Sequence, residues 1–176
     1  MFWIALAILL KIIKNKKVIL MKLNPTRYSS QVGEVWVHFM FKVKYCHKIF
    51  DNFGYRNGCH ALLLQAMNKY EIRCKDNELG FDDNHVHLII DLGIKSKPEI
   101  AKELKGYVGR KFFQVFPELK KSKAEGGLFW NSGLWSPASY GNGPENVKFT
   151  MNYVKQQKYG SARDQAKQYS LTAFVD

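Results

Sequence analysis

From Glu34 to Tyr45 apolar and polar residues alternate. Val35, Val37, Phe39, Phe41, Val43 and Tyr45 fall on one side, and Trp36, His38, Met40, Lys42 and Lys44 on the other. A period of two over this length predicts a strand with one core face and one basic, aromatic face. Asp51-Asn52 with Gly54, then Asn57-Gly58, interrupt the pattern. From His60 to Tyr70, Leu62, Leu63, Ala66 and Met67 recur near helical spacing and predict a helix. Glu71 to Phe81 reads as a second strand, Asp82-Asp83-Asn84 as a turn, and His85 to Leu92 as a third strand.

Pro98 opens a long helix, because proline is tolerated in a first turn. Its apolar stripe is Ile100, Leu104, Val108, Phe112 and Val115. Lys102, Lys105, Arg110 and Lys111 lie mostly off that stripe, either solvated or against a polyanion. Lys120 to Gly127 is polar, and Leu128 to Tyr140 is aromatic and predicts a short strand. Gly141-Asn142-Gly143 makes a joint, and Pro144 begins a last helix that runs to about Tyr159. The order strand, helix, strand, strand, helix, strand, joint, helix predicts an α+β sandwich with helices on one face of a mainly antiparallel sheet. The expected organisation is an N-terminal extension over 1–20, one domain over 21–160 and a tail over 161–176.

Composition narrows the function. The 176 residues are 46% hydrophobic and 14% aromatic, enough for one globular core and unlike a disordered chain. Lys and Arg number 27 against 15 Asp and Glu, a formal charge of +12 that favours a polyanionic partner. Cys46, Cys59 and Cys74 are odd in number and lack Cys-x-x-Cys spacing, which argues against a disulfide framework or a cysteine zinc site and fits a reducing cytoplasm. The apolar run Phe2–Leu10 falls short of the roughly 20 residues a membrane helix needs. Its lysines follow the run, whereas a signal peptide carries them before it. Met21 stands where the regular pattern begins, as if residues 1–20 were an upstream extension.

Two segments carry chemistry. In a strand, His85 and His87 point the same way, while Val86 and Leu88 point to the other face. Two imidazoles on one rigid strand can present two nitrogens to one cation. In the last helix Tyr153 and Gln157 stand one turn apart, with Phe149 on the same line, while Val147, Met151 and Val154 can pack inward. Taken singly, a structural histidine pair and an ordinary amphipathic-helix tyrosine are the better readings of these residues.

In combination they resemble the HUH single-tyrosine transposases of IS200-like insertion sequences, small enzymes of elements that move as single-stranded DNA. The family's first strand running into "vTKYR" is matched by FMFKVKYCHKIF, its "pDHVHLl" by DDNHVHLII, and its "LWSxsY" by LWSPASY. Its glycine-rich joint is matched by GNG and its "YIxxQ" by YVKQQ. The five segments occur in the family's order and span roughly residues 24–160. Asn84 departs from the pattern, since an aspartate usually precedes the first histidine; here Asp83 stands one place earlier.

The resemblance implies an RRM-like or ferredoxin-like sandwich with a separate tyrosine-bearing helix. It implies that His85, His87 and Gln157 bind a divalent metal, Mg²⁺ or Mn²⁺, and that Tyr153 is the nucleophile. The implied reaction cuts and rejoins single-stranded DNA at hairpin-bearing element ends through a 5′-phosphotyrosine link. It also implies a homodimer with joined sheets, in which the tyrosine helix can dock on the partner's histidine strand, using Gly141-Asn142-Gly143 as hinge. No membrane or small-molecule substrate enters. Three alternatives compete. A non-catalytic RRM-like module would hold single strands by stacking and charge, needing neither metal nor Tyr153. A replication initiator or relaxase would order its motifs differently or carry more domains. A zinc hydrolase on His85, His87 and His38 would lack an obvious carboxylate base.

Overall fold

The computed structural model describes residues 34–122, 129–133 and 144–161. The extension over 1–20, the joint at 141–143, the tail from 162 onward and most of the aromatic segment 128–140 lie outside these residues.

Strand β1 spans Trp36–Lys42, helix α1 Phe53–Lys69, strand β2 Arg73–Phe81 and strand β3 His85–Asp91. Helix α2 spans Lys97–Val115, the short α3 Pro117–Ser122 and α4 Pro144–Lys155. The sheet runs in the order β1-β3-β2, with β3 antiparallel to both neighbours. The histidine-bearing strand is therefore central, pinned by a ladder on each edge. Met40 and Gly80 flank His87, and Lys42 stands opposite His85. This is the split βαβ arrangement expected of a ferredoxin-like sandwich.

Helices α1 and α2 cover one face of the sheet. Phe39, Phe41, Val86, Leu88 and Ile90 meet Leu62, Leu63, Ile100, Leu104, Val108 and Phe112 in the main core. Helix α4 covers the other face, where Trp36, Ile89, Met151 and Val154 form a second, four-residue cluster. At roughly 1.5–3 kcal/mol per buried large apolar side chain, the first core far outweighs the second. The body of the fold can thus persist with α4 displaced.

Several element boundaries differ from the sequence reading. Helix α1 begins at Phe53 rather than His60, because Asn52 caps it: its Oδ1 accepts from the N–H groups of Gly54 at 2.9 Å and Tyr55 at 3.2 Å. Gly58 lies inside the helix, where an added Cβ would come within 2.6 Å of the Phe116 ring. What reads as a turn signal is a close contact between helices. The first strand ends at Lys42, since Tyr45 and Cys46 both take φ 56°, and Tyr45 is exposed instead of joining the core face. Helix α2 starts at Lys97, capped by a reciprocal Ser96–Glu99 box, and its stripe is buried through Phe112. Within 129–133 the expected fourth strand is reduced to one antiparallel bridge, Trp130 with Val43, beyond the end of β1. The last helix stops at Lys155, and Tyr159 then bridges Phe81 at the edge of β2. Cys46, Cys59 and Cys74 are all free thiols, the last two buried in the main core. Among the described residues no helix is long and apolar enough to cross a membrane.

Candidate active site on the sheet face beneath the tyrosine helix

His85, His87, His38 and Trp36 share the sheet face opposite α1 and α2, and α4 lies across it. Period two places both histidines of β3 there, as the sequence pattern predicts, and the β1–β3 pairing brings His38 beside them. The His85 and His87 rings stand 4.8 Å apart between centroids. Tyr153 presents its ring edge-on to His87 at 5.3 Å and to His38 at 5.9 Å. Tyr153 is 46% exposed, so its phenol borders solvent and the histidine face together. Phe149, one turn earlier, is exposed at 70%.

Gly80 makes this approach possible. It pairs with His87, and a Cβ there would lie 2.2 Å from the Val154 carbonyl oxygen and 2.8 Å from Gln157 Cγ. The end of α4 therefore rests directly on the backbone of β2 beside His87. Gln157 is buried at that contact and donates from Nε2 to the Tyr153 carbonyl at 3.0 Å. Because a carbonyl can only accept, that bond assigns the amide nitrogen and leaves Oε1 as the atom able to ligate.

The segment after α4 is anchored by charge. Lys158 pairs with Asp51 at 3.1 Å and with Asp83, while Tyr159 donates its hydroxyl to Asp51 at 2.7 Å. The Tyr159 and Lys158 hydrogen bonds hold the Asp51 carboxyl down to about 2. Asp83 itself thus serves the anchor. Its neighbour Asn84, the departure from the family pattern, supports the first histidine directly. Its Nδ2 donates to the Cys46 carbonyl at 3.3 Å, so its Oδ1 is the atom 2.8 Å from His85 Nδ1. An asparagine in that orientation accepts from His85 Nδ1–H and directs the lone pair to Nε2.

Burial depresses all three imidazoles: His38 to about 4, His87 to about 3, with the charges of His38 and His85 adding to the effect on His87, and His85 also downward. Neutral imidazoles keep the lone pairs that a cation needs. His87 is 1% exposed, and its Nε2 is a buried polar atom without a hydrogen-bond partner. Such an atom is costly unless something fills its coordination. Among the described residues no three His, Cys, Asp or Glu side chains group as ligands of one metal ion. Two imidazoles and one glutamine amide are a different donor set, and the orphaned His87 Nε2 fits it.

Sequence reasoning named His85, His87, Tyr153 and Gln157, and all four lie on or against this face. It gave Gly80 and Lys158 no role and read Asp51 only as part of a break in the pattern, because each acts through a tertiary contact. Lys105 is spent on structure: its ammonium donates to the carbonyls of Ser132 at 3.3 Å and Gly133 at 2.9 Å.

Comparison with known proteins places the chain among transposases, enzymes that cut DNA and transfer its strands. The family described as "Transposase IS200 like" matches residues 31–157, and the chain belongs to that family. No curated protein matches it significantly. A crystal structure of a candidate transposase from Deinococcus radiodurans R1 is similar in fold, with a TM-score of 0.57 and 21% identity, covering 75% of this chain and 97% of that one.

Docking of α4 has a direct consequence. Gly80→Ala is expected to push the helix off the sheet, since the obstacle is backbone. DNA cleavage should fall by about 100-fold, the usual cost of ångström-scale misplacement of a reacting group. The main core lies on the opposite face, so far-ultraviolet circular dichroism should stay unchanged. Gly106→Ala, with nothing within 4 Å of an added Cβ, serves as control and should cleave normally. Equal cleavage by both variants would show that close docking is unnecessary.

Proposed function

We propose that this transposase cuts and rejoins single-stranded DNA through a covalent bond to Tyr153, with His85, His87 and Gln157 holding a divalent cation, Mg²⁺ or Mn²⁺. The observation that carries the reading is the edge-on approach of Tyr153 to His87, 5.3 Å between ring centroids, on a face where His87 Nε2 is buried without a partner.

The residues divide the work. Asn84 orients His85, and Gln157 is fixed by its bond to the Tyr153 carbonyl, so the proposed ligand and the nucleophile are tied to one helical turn. A bound cation would withdraw charge from a non-bridging phosphate oxygen, which otherwise repels the attacking phenolate. The phenolic oxygen of Tyr153 bonds to phosphorus, and the bond from phosphorus to the 3′ oxygen breaks. The phenolic proton is lost and the departing oxygen gains one, leaving a 5′-phosphotyrosine and a free 3′ hydroxyl. One phosphodiester replaces another, so rejoining requires no ATP. A free phenol has a pKa near 10 and is a weak nucleophile at neutral pH, so deprotonation is part of the barrier.

The net charge of +12 supplies a sequence-independent attraction for phosphates. Lys42, opposite His85 on the same face, and the exposed Phe149 beside Tyr153 offer charge and a stacking surface to unpaired nucleotides. A hairpin with single-stranded flanks is therefore the expected substrate, and two copies of the chain the expected working unit.

The test is a denaturing gel of the full chain with labelled single-stranded DNA from its own element's ends. With Mn²⁺ a covalent protein–DNA species should form. It should disappear in EDTA and return when Mn²⁺ is restored. Undiminished adduct in EDTA or in His85→Ala would remove the metal from the reading. Equal competition by blunt duplex would remove the single-stranded substrate.

A further inference from the structure

His87 needs one nitrogen oriented and the other left open, and its neighbour across the sheet meets that need. His38 Nε2 lies 2.9 Å from His87 Nδ1, between strands whose pairing places the two residues on the same face. Only one hydrogen can occupy that contact. If His38 donates it, His87 accepts at Nδ1, and a neutral His87 must then carry its proton on Nε2. That would bury a donor without an acceptor, because His87 Nε2 has no partner. If His87 donates from Nδ1, its Nε2 instead holds an in-plane lone pair, and the orphaned atom is ready to ligate.

We propose that His38 is a positioning residue of the metal site: it accepts from His87 Nδ1–H, fixes the ring's tautomer and angle, and thereby presents His87 Nε2 to the cation. The inference rests on the proposed metal role of His87. His85 offers an internal parallel, since its Nδ1 is held in the same way by Asn84 Oδ1 at 2.8 Å. The two proposed ligands thus have separate supports, one from the preceding residue and one from the adjacent strand. Outer partners of this kind commonly alter metal affinity by about 10- to 100-fold when removed. Unlike the carboxylate more often found there, a neutral imidazole adds no negative charge. His38 thus supplies direction without neutralising the cation, leaving the positive charge for the phosphate.

The test combines Mn²⁺ titration, followed by electron paramagnetic resonance, with nitrogen-15 spectra of the histidine rings in the full chain. Metal-free wild type should show His87 as the Nδ1–H tautomer. His38→Leu should weaken Mn²⁺ binding by about 10- to 100-fold. His38→Gln, whose amide oxygen can accept the same hydrogen bond, should recover most of that loss, which mere refilling of space would not achieve. His85→Ala checks the metal reading separately. If wild type binds Mn²⁺ and His85→Ala does not, while folded His38→Leu binds as tightly as wild type, the role of His38 is overturned and the metal site stands. An Nε2–H tautomer for His87 in metal-free wild type also overturns it, whatever the variants' folding. If wild type fails to bind Mn²⁺, both readings fall.

Discussion

Tyr153→Phe is expected to abolish the covalent protein–DNA species while leaving DNA binding intact. The substitution removes one oxygen and keeps the ring. The ring's contacts with His87 and His38 at 5.3 and 5.9 Å can therefore persist, as can the buried Met151 and Val154 on the inner side of α4. Because Tyr153 is 46% exposed, losing its hydroxyl should cost little stability. The chemical cost should be large: loss of a covalent nucleophile typically lowers the rate by about 10⁴-fold or more. Adduct should fall below detection, with the affinity for a single-stranded hairpin changed by less than about twofold, the effect of a lost surface hydroxyl. Tyr159 is the natural control, lying just beyond the end of α4 and committed through its hydroxyl to Asp51 at 2.7 Å. Tyr159→Phe should loosen the anchor of the helix and still form the adduct. Adduct in Tyr153→Phe at wild-type yield would transfer the nucleophile to another residue, which peptide mapping of the DNA-linked fragment would identify.

The parts of this site that were legible in the sequence are those set by local periodicity. The alternation around His85-Val86-His87 gives a shared face without knowledge of the sheet, and the spacing of Tyr153 and Gln157 gives a shared side of a helix. Which faces meet is a tertiary fact. Nothing in the order of residues says that His38 stands across from the histidine strand, since that follows from the pairing of Met40 with His87. Gly80 carries no signal of its own inside the second strand, yet the end of α4 rests directly on its backbone. Gly58 misleads in the same way, appearing as a turn before the helix while lying inside it against Phe116. Both cases share a cause: glycine signals either a backbone bend or a close approach, and sequence alone does not separate them. The absence of a regular strand within residues 129–133 has a different origin. Trp130 is buried in the main core and bridges Val43, so at these residues the aromatic pattern reports packing, without an extended ladder.

Mixing an inactive His85→Ala chain with an inactive Tyr153→Phe chain is expected to leave cleavage silent. The family resemblance alone points the other way, toward a helix lent to the partner and sites completed in trans. In this chain the helix lies on its own sheet, and three independent contacts hold it there. Gly80 admits Val154 and Gln157, Tyr159 bridges Phe81, and Lys158 pairs with Asp51 and Asp83. The exposed ion pairs of Lys158 contribute little individually, because solvent screens them. The buried Met151 and Val154 contribute more, at roughly 1.5–3 kcal/mol per side chain. If these contacts form within one chain, every site in a mixed dimer lacks either its histidine or its tyrosine. If they form between chains, one site of the mixed dimer has both, and cleavage returns toward half that of a wild-type dimer's sites. The experiment requires proof of subunit exchange, for which two differently labelled chains and energy transfer between them suffice. Silence with exchange demonstrated would establish assembly within one chain. Recovered cleavage would move the helix to the partner's sheet, and Gly80→Ala placed in the Tyr153→Phe chain should then abolish the recovery, because that chain supplies the histidine sheet. Placed in the His85→Ala chain, the same substitution should leave the recovered site working. A sheet carrying the Gly80 clash and a helix carrying the intact tyrosine would thus be told apart by which chain bears the change.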